Sequence, residues 1–190
     1  MSEHIVGVQP KVYNGRRYRS TLEAATAEAL DKMGIPFLYE NRRIEIFPAF
    51  RCPFQKEKVR AIDYKPDFEI GNIIIETKGY ETPDWKIKRK LLYRYLQQNE
   101  PETLFYQVKN LRQLLQALDS HWSSLGYCIE VIPKPKTKKE DCTPKYFDSI
   151  KQAMQQLNLD NCPVGCVLRS LTGKTDYIHG YKWKIKRIKL

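Results

Sequence analysis

Residues 65–80, KPDFEIGNIIIETKGY, constrain the fold more than any other part of the chain. Two runs of β-branched and aromatic residues flank a connection at 69–72 that contains Gly and Asn, residues favoured in turns. This pattern predicts two neighbouring strands, at about 64–70 and 72–78. The unbroken aliphatic run of the second strand indicates that this strand lies inside a core.

Charged residues stand at the ends of these two strands. Since side chains alternate along a strand, Glu76 and Lys78 point to one face, and the short connection brings Asp67 beside Glu76. Two adjacent carboxylates repel each other unless a cation lies between them, and Mg²⁺ takes oxygen ligands of this kind. Asp67, Glu76 and Lys78 together have the groups needed for phosphodiester hydrolysis. The two carboxylates would hold the metal, and Lys78 would orient water or stabilise charge in the transition state. A structural salt-bridge cluster without catalysis is the alternative interpretation.

The rest of the amino-terminal part alternates between helical and extended patterns. Residues 19–34 predict a helix in which Ser20 is the N-cap, Glu23 completes a capping box and Gly34 ends the helix. The whole order, α-β-β-β-α-β-α-β, predicts an α/β fold with a mixed central sheet flanked by helices. The other predicted elements are a long strand or hairpin at 35–47, a polar excursion at 48–63, a helix at about 84–98, a strand at 103–108, a helix at about 109–119 and a strand at 127–132.

A change of composition then divides the chain. Residues 133–145, PKPKTKKEDCTPK, contain three prolines and five lysines without apolar periodicity, which predicts a linker after a domain at 1–132. Residues 146–190 are predicted to form a small helical unit with a basic end. Its predicted parts are a helix from Asp148, a turn at 157–161, a second helix ending near Gly173, a short strand carrying Tyr181 and Trp183, and a core of Ala153, Leu157, Leu168 and Leu171.

The charge of the chain predicts a polyanionic partner. There are 33 Lys and Arg against 22 Asp and Glu, a formal net charge of +11, and the basic residues are interleaved with aromatic ones. This combination suits nucleic acid better than a membrane surface. The bland alternative is a solvated basic surface.

Three further features bear on location and metal chemistry. No stretch approaches the roughly 18 apolar residues of a membrane span, and residues 1–10 have no signal-peptide core, which predicts a cytoplasmic protein. Five cysteines, an odd number, fit reduced thiols. Cys162 and Cys166 form a C-x-x-x-C pair, but zinc would need two more ligands, so ordinary thiols are favoured.

Three short motifs resemble a known nuclease superfamily. The segments RSTLE, PDF and ETKG resemble the PD-(D/E)XK superfamily and, within it, the phage endonuclease I family of Holliday-junction resolvases. The resemblance covers about residues 16–98. It implies a restriction-endonuclease-like core, Mg²⁺ with Mn²⁺ as a substitute, a homodimer, and an origin in a phage or mobile element. The longer segment 48–63 departs from the family pattern.

The resemblance also implies roles for individual residues. Glu23, Asp67 and Glu76 would be the acidic active-site groups and metal ligands, and Lys78 the catalytic lysine. The main chain of Thr77 would supply a further metal ligand. Glu23 has a second interpretation, since a capping-box glutamate needs no catalytic role.

Several basic residues are predicted to contact DNA. One group precedes the first helix, and a second lies on the helix that follows the catalytic strand, where a solvated helix face is the alternative. A third belongs to residues 146–190, which resemble the nuclease-associated modular DNA-binding domains of homing endonucleases. The predicted contacts are Arg16, Arg17 and Arg19; Lys86, Lys88, Arg89 and Lys90; and Ser170, Lys174, Tyr177, Lys182 and Lys184.

Taken together, the sequence predicts a Mg²⁺-dependent DNA endonuclease. An added DNA-binding unit favours site-specific, homing-type cleavage, because such a unit can contact base edges. A junction resolvase that recognises branched DNA is the second possibility. A basic DNA-binding protein without catalysis is the third.

Overall fold

The structure is a computed structural model that describes residues 9–54, 56–136 and 142–188. The protein is mixed α/β and divides into two compact units, Phe37–Val108 and the combination of Met1–Pro36 with Lys109–Leu190. In chain order the elements are β1 (Lys11–Tyr13), β2 (Arg16–Tyr18), α1 (Thr21–Lys32), β3 (Leu38–Tyr39), β4 (Ile44–Phe47), β5 (Phe50–Arg51), β6 (Lys58–Val59), β7 (Ile62–Tyr64), β8 (Phe68–Ile70), β9 (Ile73–Thr77), α2 (Pro83–Asn99), β10 (Leu104–Val108), α3 (Leu111–Asp119), β11 (Tyr127–Pro133), β12 (Lys145–Phe147), α4 (Ile150–Gln156), α5 (Val164–Leu171) and β13 (Tyr181–Arg187).

The unit 37–108 is built on a four-stranded sheet with the order β10-β9-β8-β3. Strands β9 and β10 are parallel, and the other two pairings are antiparallel, so the predicted mixed sheet is confirmed. All five residues of β9 are buried, as its aliphatic sequence predicts. Helix α2 follows β9, and Trp85, Leu92 and Leu96 of α2 pack against Ile74 in one core cluster.

The segments predicted as a long strand or hairpin, at 35–47, and as a polar excursion, at 48–63, have a different structure. Strand β3 joins the main sheet, but β4 pairs with β7 outside it, and β5 pairs with β6 beyond them. Residues 44–54 and 56–64 therefore contain two short antiparallel strand pairs outside the main sheet, which we call the ribbon. The extended run is interrupted between β3 and β4 at Glu40, whose φ of 46° lies in the left-handed region.

The unit of residues 1–36 and 109–190 contains the predicted first helix. Ser20 caps α1 by accepting a hydrogen bond from the Glu23 amide at 3.1 Å, and Gly34 follows the helix with a φ of 70°. Glycine adopts this conformation readily and is favoured after a helix. Both capping predictions are confirmed.

The same unit contains a three-stranded antiparallel sheet with the order β12-β11-β13. Strand β11 therefore belongs to the same unit as residues 146–190, whereas the predicted division at 133–145 placed it in the first domain. Residues 134–144 instead connect two paired strands, and of these, 137–141 lie outside the described residues. The cause is the apolar face of β11, where Ile129 is registered with Phe147 and Val131 with Trp183.

The carboxy-terminal helices lie close to the predicted positions. Helix α4 begins after the cap Ser149, α5 ends before Gly173, and β13 carries Tyr181 and Trp183. Of the predicted core residues, Ala153 and Leu171 are buried, whereas Leu157 and Leu168 are half-buried.

Candidate functional site

The carboxylate of Asp67 is buried at the junction of β8 and β9. Asp67 directly precedes β8, and the antiparallel register of β8 with β9, continued by one residue, sets it opposite Glu76. Its Oδ2 atom accepts hydrogen bonds from the amide and the hydroxyl of Thr77, each at 2.8 Å. The carboxylate thus lies against the peptide that joins Glu76 to Thr77. The backbone register agrees with the predicted placement of Asp67 opposite Glu76.

Glu76 is the second buried carboxylate of the site, with 5% of its surface exposed. Tyr64 donates a hydrogen bond from its hydroxyl to Glu76 Oε2 at 2.9 Å, and Lys78 Nζ lies 3.9 Å from Glu76 Oε1. Burial, reinforced by the nearby Glu76 carboxylate, raises the pKa of Tyr64 well above its ordinary value. Tyr64 therefore remains a neutral hydrogen-bond donor that fixes the orientation of Glu76.

Lys78 is held at the end of β9 with a third of its side chain exposed. Its amide donates to the Val108 carbonyl at 2.9 Å, and its ammonium lies 5.0 Å from the centre of the Trp85 ring. A cation over an aromatic face is attracted by the ring. The ammonium is therefore positioned by both Glu76 and Trp85.

A hydrogen-bond network holds Trp85 in place. The Trp85 indole donates to Gln107 Oε1 at 2.7 Å, and Arg89 donates to the same atom at 2.8 Å. Gln107 in turn donates to Glu81 at 2.7 Å, and the parallel pairing of β9 with β10 registers Gln107 with Glu76. This network links α2 to the strand beside the site.

Four predicted residues are thus brought together in one unit: Asp67, Glu76, Thr77 and Lys78. Thr77 was expected to contribute its carbonyl, but the structure gives it another role as well, since its amide and hydroxyl orient Asp67. Tyr64, Trp85 and Gln107 were missed, because hydrogen bonds across strands leave no local sequence pattern.

Glu23 lies in the other unit, on α1, and is 5% exposed. Its carboxylate accepts hydrogen bonds from the Arg19 amide and the Ser20 hydroxyl, each at 3.0 Å. These contacts are those of a capping-box glutamate. The helix-cap interpretation of Glu23 accounts for these two contacts, and its metal role remains a prediction.

The basic residues of α2 divide by exposure. Lys86 and Lys90 are exposed, whereas Arg89 is half-buried and engaged with Gln107 and Glu81. Lys88 is also half-buried, and burial lowers its pKa although the nearby Glu76 and Asp63 carboxylates act in the opposite direction. Lys88 is thus close enough to Glu76 to interact with it electrostatically. The sequence predicted Lys88 only as one of several basic residues on the helix.

The predicted amino-terminal contacts lie around β2. Arg16 and Arg17 are exposed residues of β2, which pairs with β1 in a two-stranded antiparallel sheet. Arg19 follows β2, and its side chain lies 3.9 Å from the Glu23 carboxylate.

In the carboxy-terminal region one predicted DNA contact has a structural role. Ser170 is buried, and its hydroxyl donates to the Asp176 carbonyl at 3.3 Å and accepts from the Trp183 amide at 3.1 Å. Its hydroxyl therefore links α5 to β13, in place of the predicted DNA contact. Lys174 and Tyr177 are exposed. On β13, Lys182 is half-buried and lies near Asp176, and Lys184 is exposed and lies near Glu130.

The donor set of the site fits a hard divalent cation. Asp67 and Glu76 supply carboxylate oxygens, and Mg²⁺ is commonly held in proteins by one or two carboxylates together with water and substrate phosphate. Within residues 9–54, 56–136 and 142–188 there is no group of three or more His, Cys, Asp or Glu side chains arranged to hold a metal ion. All five cysteines, including Cys162 and Cys166, are free thiols.

Comparisons with known proteins give no family for this chain. No protein-family model, curated protein or solved structure matches it. The helices in the described part of the chain include none that is long and apolar enough to span a membrane.

Proposed function

We propose that the protein is a metal-dependent DNA endonuclease with a restriction-endonuclease-like core of the PD-(D/E)XK type. The observation that carries the proposal is the pair of buried carboxylates, Asp67 and Glu76, on adjacent antiparallel strands, followed by Lys78 at the same strand end. Burying two charges side by side is costly unless a cation and hydrogen bonds compensate. A bound cation would balance the charge of the two carboxylates.

Each residue then has a defined task. Asp67 and Glu76 would hold Mg²⁺, or Mn²⁺ in its place, which supplies a Lewis acid and a nucleophilic water at neutral pH when bound. Thr77 fixes the orientation of Asp67, and Tyr64 fixes that of Glu76. Lys78 stabilises the negative charge that develops on the phosphate or orients the attacking water.

DNA is the substrate that the charge of the chain favours. The net charge is +11, and exposed lysines of α2 follow the strand that carries Glu76 and Lys78. Phosphate contacts of this kind position a duplex without reading its sequence. Sequence-directed, homing-type cleavage remains our first proposal, with Lys174, Tyr177, Lys182 and Lys184 as carboxy-terminal contacts. Junction resolution is the alternative, and a homodimer is proposed for either.

Cleavage assays on three substrates test the proposal. Wild type and Glu76→Ala are incubated with Mg²⁺ on plasmid, linear duplex and four-way junction DNA. We expect wild type to cleave at least one substrate and Glu76→Ala to lose that activity. No metal-dependent cleavage by wild type, or undiminished cleavage by the variant, would overturn the nuclease assignment and favour a DNA-binding protein without catalysis.

The same substrates separate the two biological roles. Cleavage at a fixed site in linear duplex favours the site-specific enzyme, whereas selective cleavage of the four-way junction favours the resolvase. Simultaneous substitution of Lys174, Lys182 and Lys184 by alanine sharpens the comparison. If the protein is a site-specific enzyme, the triple variant should lose its site preference. If it is a resolvase, the triple variant should cleave the junction nearly as fast as wild type.

A further inference from the structure

The ribbon begins at the candidate active site. At its base, Ile44, Ile46 and Tyr64 are buried in the core cluster with Trp85. The hydroxyl of Tyr64 also contacts Glu76. The ribbon is therefore anchored to the same residues that position the carboxylates. We call its outer part, residues 47–54 and 56–62, the arm.

The arm has no core of its own. Of residues 47–54 and 56–62, which the structure describes, none is buried. Phe54 is 95% exposed, and Phe47, Phe50 and Ile62 are exposed as well. Isolated two-stranded hairpins are marginally stable in water, and exposed apolar side chains grouped together mark interaction sites. The arm is thus built to contact a partner.

The charge of the arm indicates the chemistry of that partner. Residues 48–62 contain four basic residues and one acid, a net charge of +3, and all five side chains are exposed. A second copy of the same arm would bring two positive ribbons together, which charge repulsion opposes. DNA combines an anionic surface with stacked apolar bases, and so matches both the charges and the aromatic residues. The charged residues are Arg51, Lys56, Glu57, Lys58 and Arg60.

We propose that the arm is a DNA-binding ribbon that lies in a groove beside the phosphate to be cleaved. A two-stranded β-ribbon fits the major groove, and apolar side chains of DNA-bending proteins insert between base steps. In this arrangement Arg51, Lys58 and Arg60 contact phosphates, and Phe54 at the tip stacks against bases. The proposal rests on the proposed nuclease function for its choice of DNA as the ligand.

Binding measurements on an inactive protein test the phosphate contacts. All variants carry Glu76→Gln, EDTA is present, and the affinity for a fluorescent duplex is measured by anisotropy at several salt concentrations. Arg51→Ala, Lys58→Ala and Arg60→Ala are combined in one variant. Its matched control combines Lys11→Ala, Lys32→Ala and Lys151→Ala, three exposed lysines of the other unit that remove the same charge.

We expect the arm variant to bind DNA about tenfold or more weakly than the control at physiological salt. The slope of log affinity against log salt should fall by up to about 2.7, since each lost phosphate contact contributes about 0.9. Equal affinities and equal slopes for the arm variant and the control would overturn the proposal.

A second measurement tests Phe54. The fluorescent base analogue 2-aminopurine brightens when it is unstacked, so a duplex with this base at successive positions reports insertion. Binding should raise the fluorescence at one position, and Phe54→Ala should remove this signal while weakening binding about five- to hundredfold. Val12→Ala, which truncates another exposed apolar side chain, should change neither quantity. A Phe54→Ala variant that keeps both signal and affinity would overturn the stacking role.

Dimerisation through the arm is the competing outcome. Sedimentation that shows Phe54→Ala converting a dimer to a monomer, with DNA affinity unchanged, would overturn the proposal in favour of a second copy. The test is also independent of catalysis. An absence of cleavage by wild type refutes the nuclease and leaves the binding result standing, whereas arm variants that bind like their control refute the arm and leave cleavage standing.

Discussion

Two buried glutamates of this protein have the same kinds of partner, one in each unit. Glu76 on β9 is 5% exposed and Glu130 on β11 is 6% exposed. Each accepts a hydrogen bond from a tyrosine hydroxyl, Tyr64 at 2.9 Å for Glu76 and Tyr146 at 3.0 Å for Glu130. Each also has a lysine nearby, Lys78 for Glu76 and Lys186 for Glu130. Residue types alone therefore do not distinguish the two positions.

The difference between them lies in the arrangement of charge. Lys186 donates to Glu130 at 2.7 Å, and Lys184 lies 4.0 Å from the same carboxylate, so two cations serve one acid. At Glu76 the lysine is 3.9 Å away, and the buried carboxylate of Asp67 accepts a hydrogen bond from the amide of the next residue, Thr77. The charge of Glu130 is thus balanced by two lysines of its own sheet. Glu76 has one lysine, at a longer distance, and the buried acid Asp67 precedes the neighbouring strand. The comparison shows an ion pair at Glu130 and supports our proposal that Glu76 binds a cation.

The largest expected difference between the two clusters is in catalysis. Lys78→Met should lower the rate of DNA cleavage about hundredfold or more, because the charge that stabilises the transition state is lost. Lys186→Met removes the corresponding lysine of the Glu130 cluster and should leave the rate within about twofold. Single-turnover cleavage with saturating enzyme measures both. Similar rates for the two variants would contradict the comparison.

For the free energy of unfolding, a substitution in the Glu130 cluster should have the larger effect and one at Glu76 the smaller. Glu130→Gln should lower the free energy of unfolding by about 1–3 kcal/mol, because a charge-assisted hydrogen bond from Lys186 is weakened. Glu76→Gln should cost about 1 kcal/mol or less in EDTA, since it keeps an acceptor for Tyr64 and relieves repulsion with Asp67. Urea unfolding followed by circular dichroism measures the difference. A larger loss for Glu76→Gln would argue that Glu76 is also a structural ion-pair residue.

Of the two buried glutamates, only Glu76 should contribute to stabilisation of the protein by metal binding. At a tenfold excess of Mg²⁺ over its Kd, binding adds about 1.4 kcal/mol to the stability of the native state. The Tm of wild type and of Glu130→Gln should therefore rise by a few degrees on addition of Mg²⁺. Glu76→Gln should show little change. An equal rise in all three proteins would place the metal elsewhere.

The smallest expected effect is the pH dependence of stability. Burial alone would raise the pKa of Glu130, but hydrogen bonds from Lys186 and Tyr146 outweigh it and hold the pKa below its usual value. A lowered native pKa means that the unfolded state binds more protons, so this stability is present above about pH 4.3 and is lost as the pH falls. Unfolding of Glu130→Gln should depend less on pH between about pH 5 and pH 3 than unfolding of wild type does. Identical pH profiles would contradict the assigned ion pair.

The sequence predicted those parts of the fold that depend on local patterns. The cap at Ser20, the buried strand around Ile74 and the adjacency of Asp67 and Glu76 all follow from residues close together in the chain. Capping preferences and the two-residue period of strands are local properties, and they were sufficient here.

The remaining parts depend on pairing between distant residues. The prolines of 133–145 indicated a linker, yet β11 and β12 on either side of it are paired. The sequence predicted Lys184 as a DNA contact, but only the pairing of β13 with β11 shows that Lys184 and Lys186 also lie beside Glu130. Tyr64 became recognisable as part of the site only through its bond to Glu76, twelve residues away. Cross-strand register is not encoded in any single window of sequence.

The most direct test of the account is a matched pair of isosteric substitutions, Glu76→Gln and Glu130→Gln, assayed for Mg²⁺-dependent cleavage of DNA. Each variant removes one negative charge from a buried glutamate and keeps its shape. We expect Glu76→Gln to lose at least about a thousandfold in rate and Glu130→Gln to stay within about twofold of wild type. A Glu76→Gln protein that cleaves as fast as Glu130→Gln would contradict the assignment of the active site.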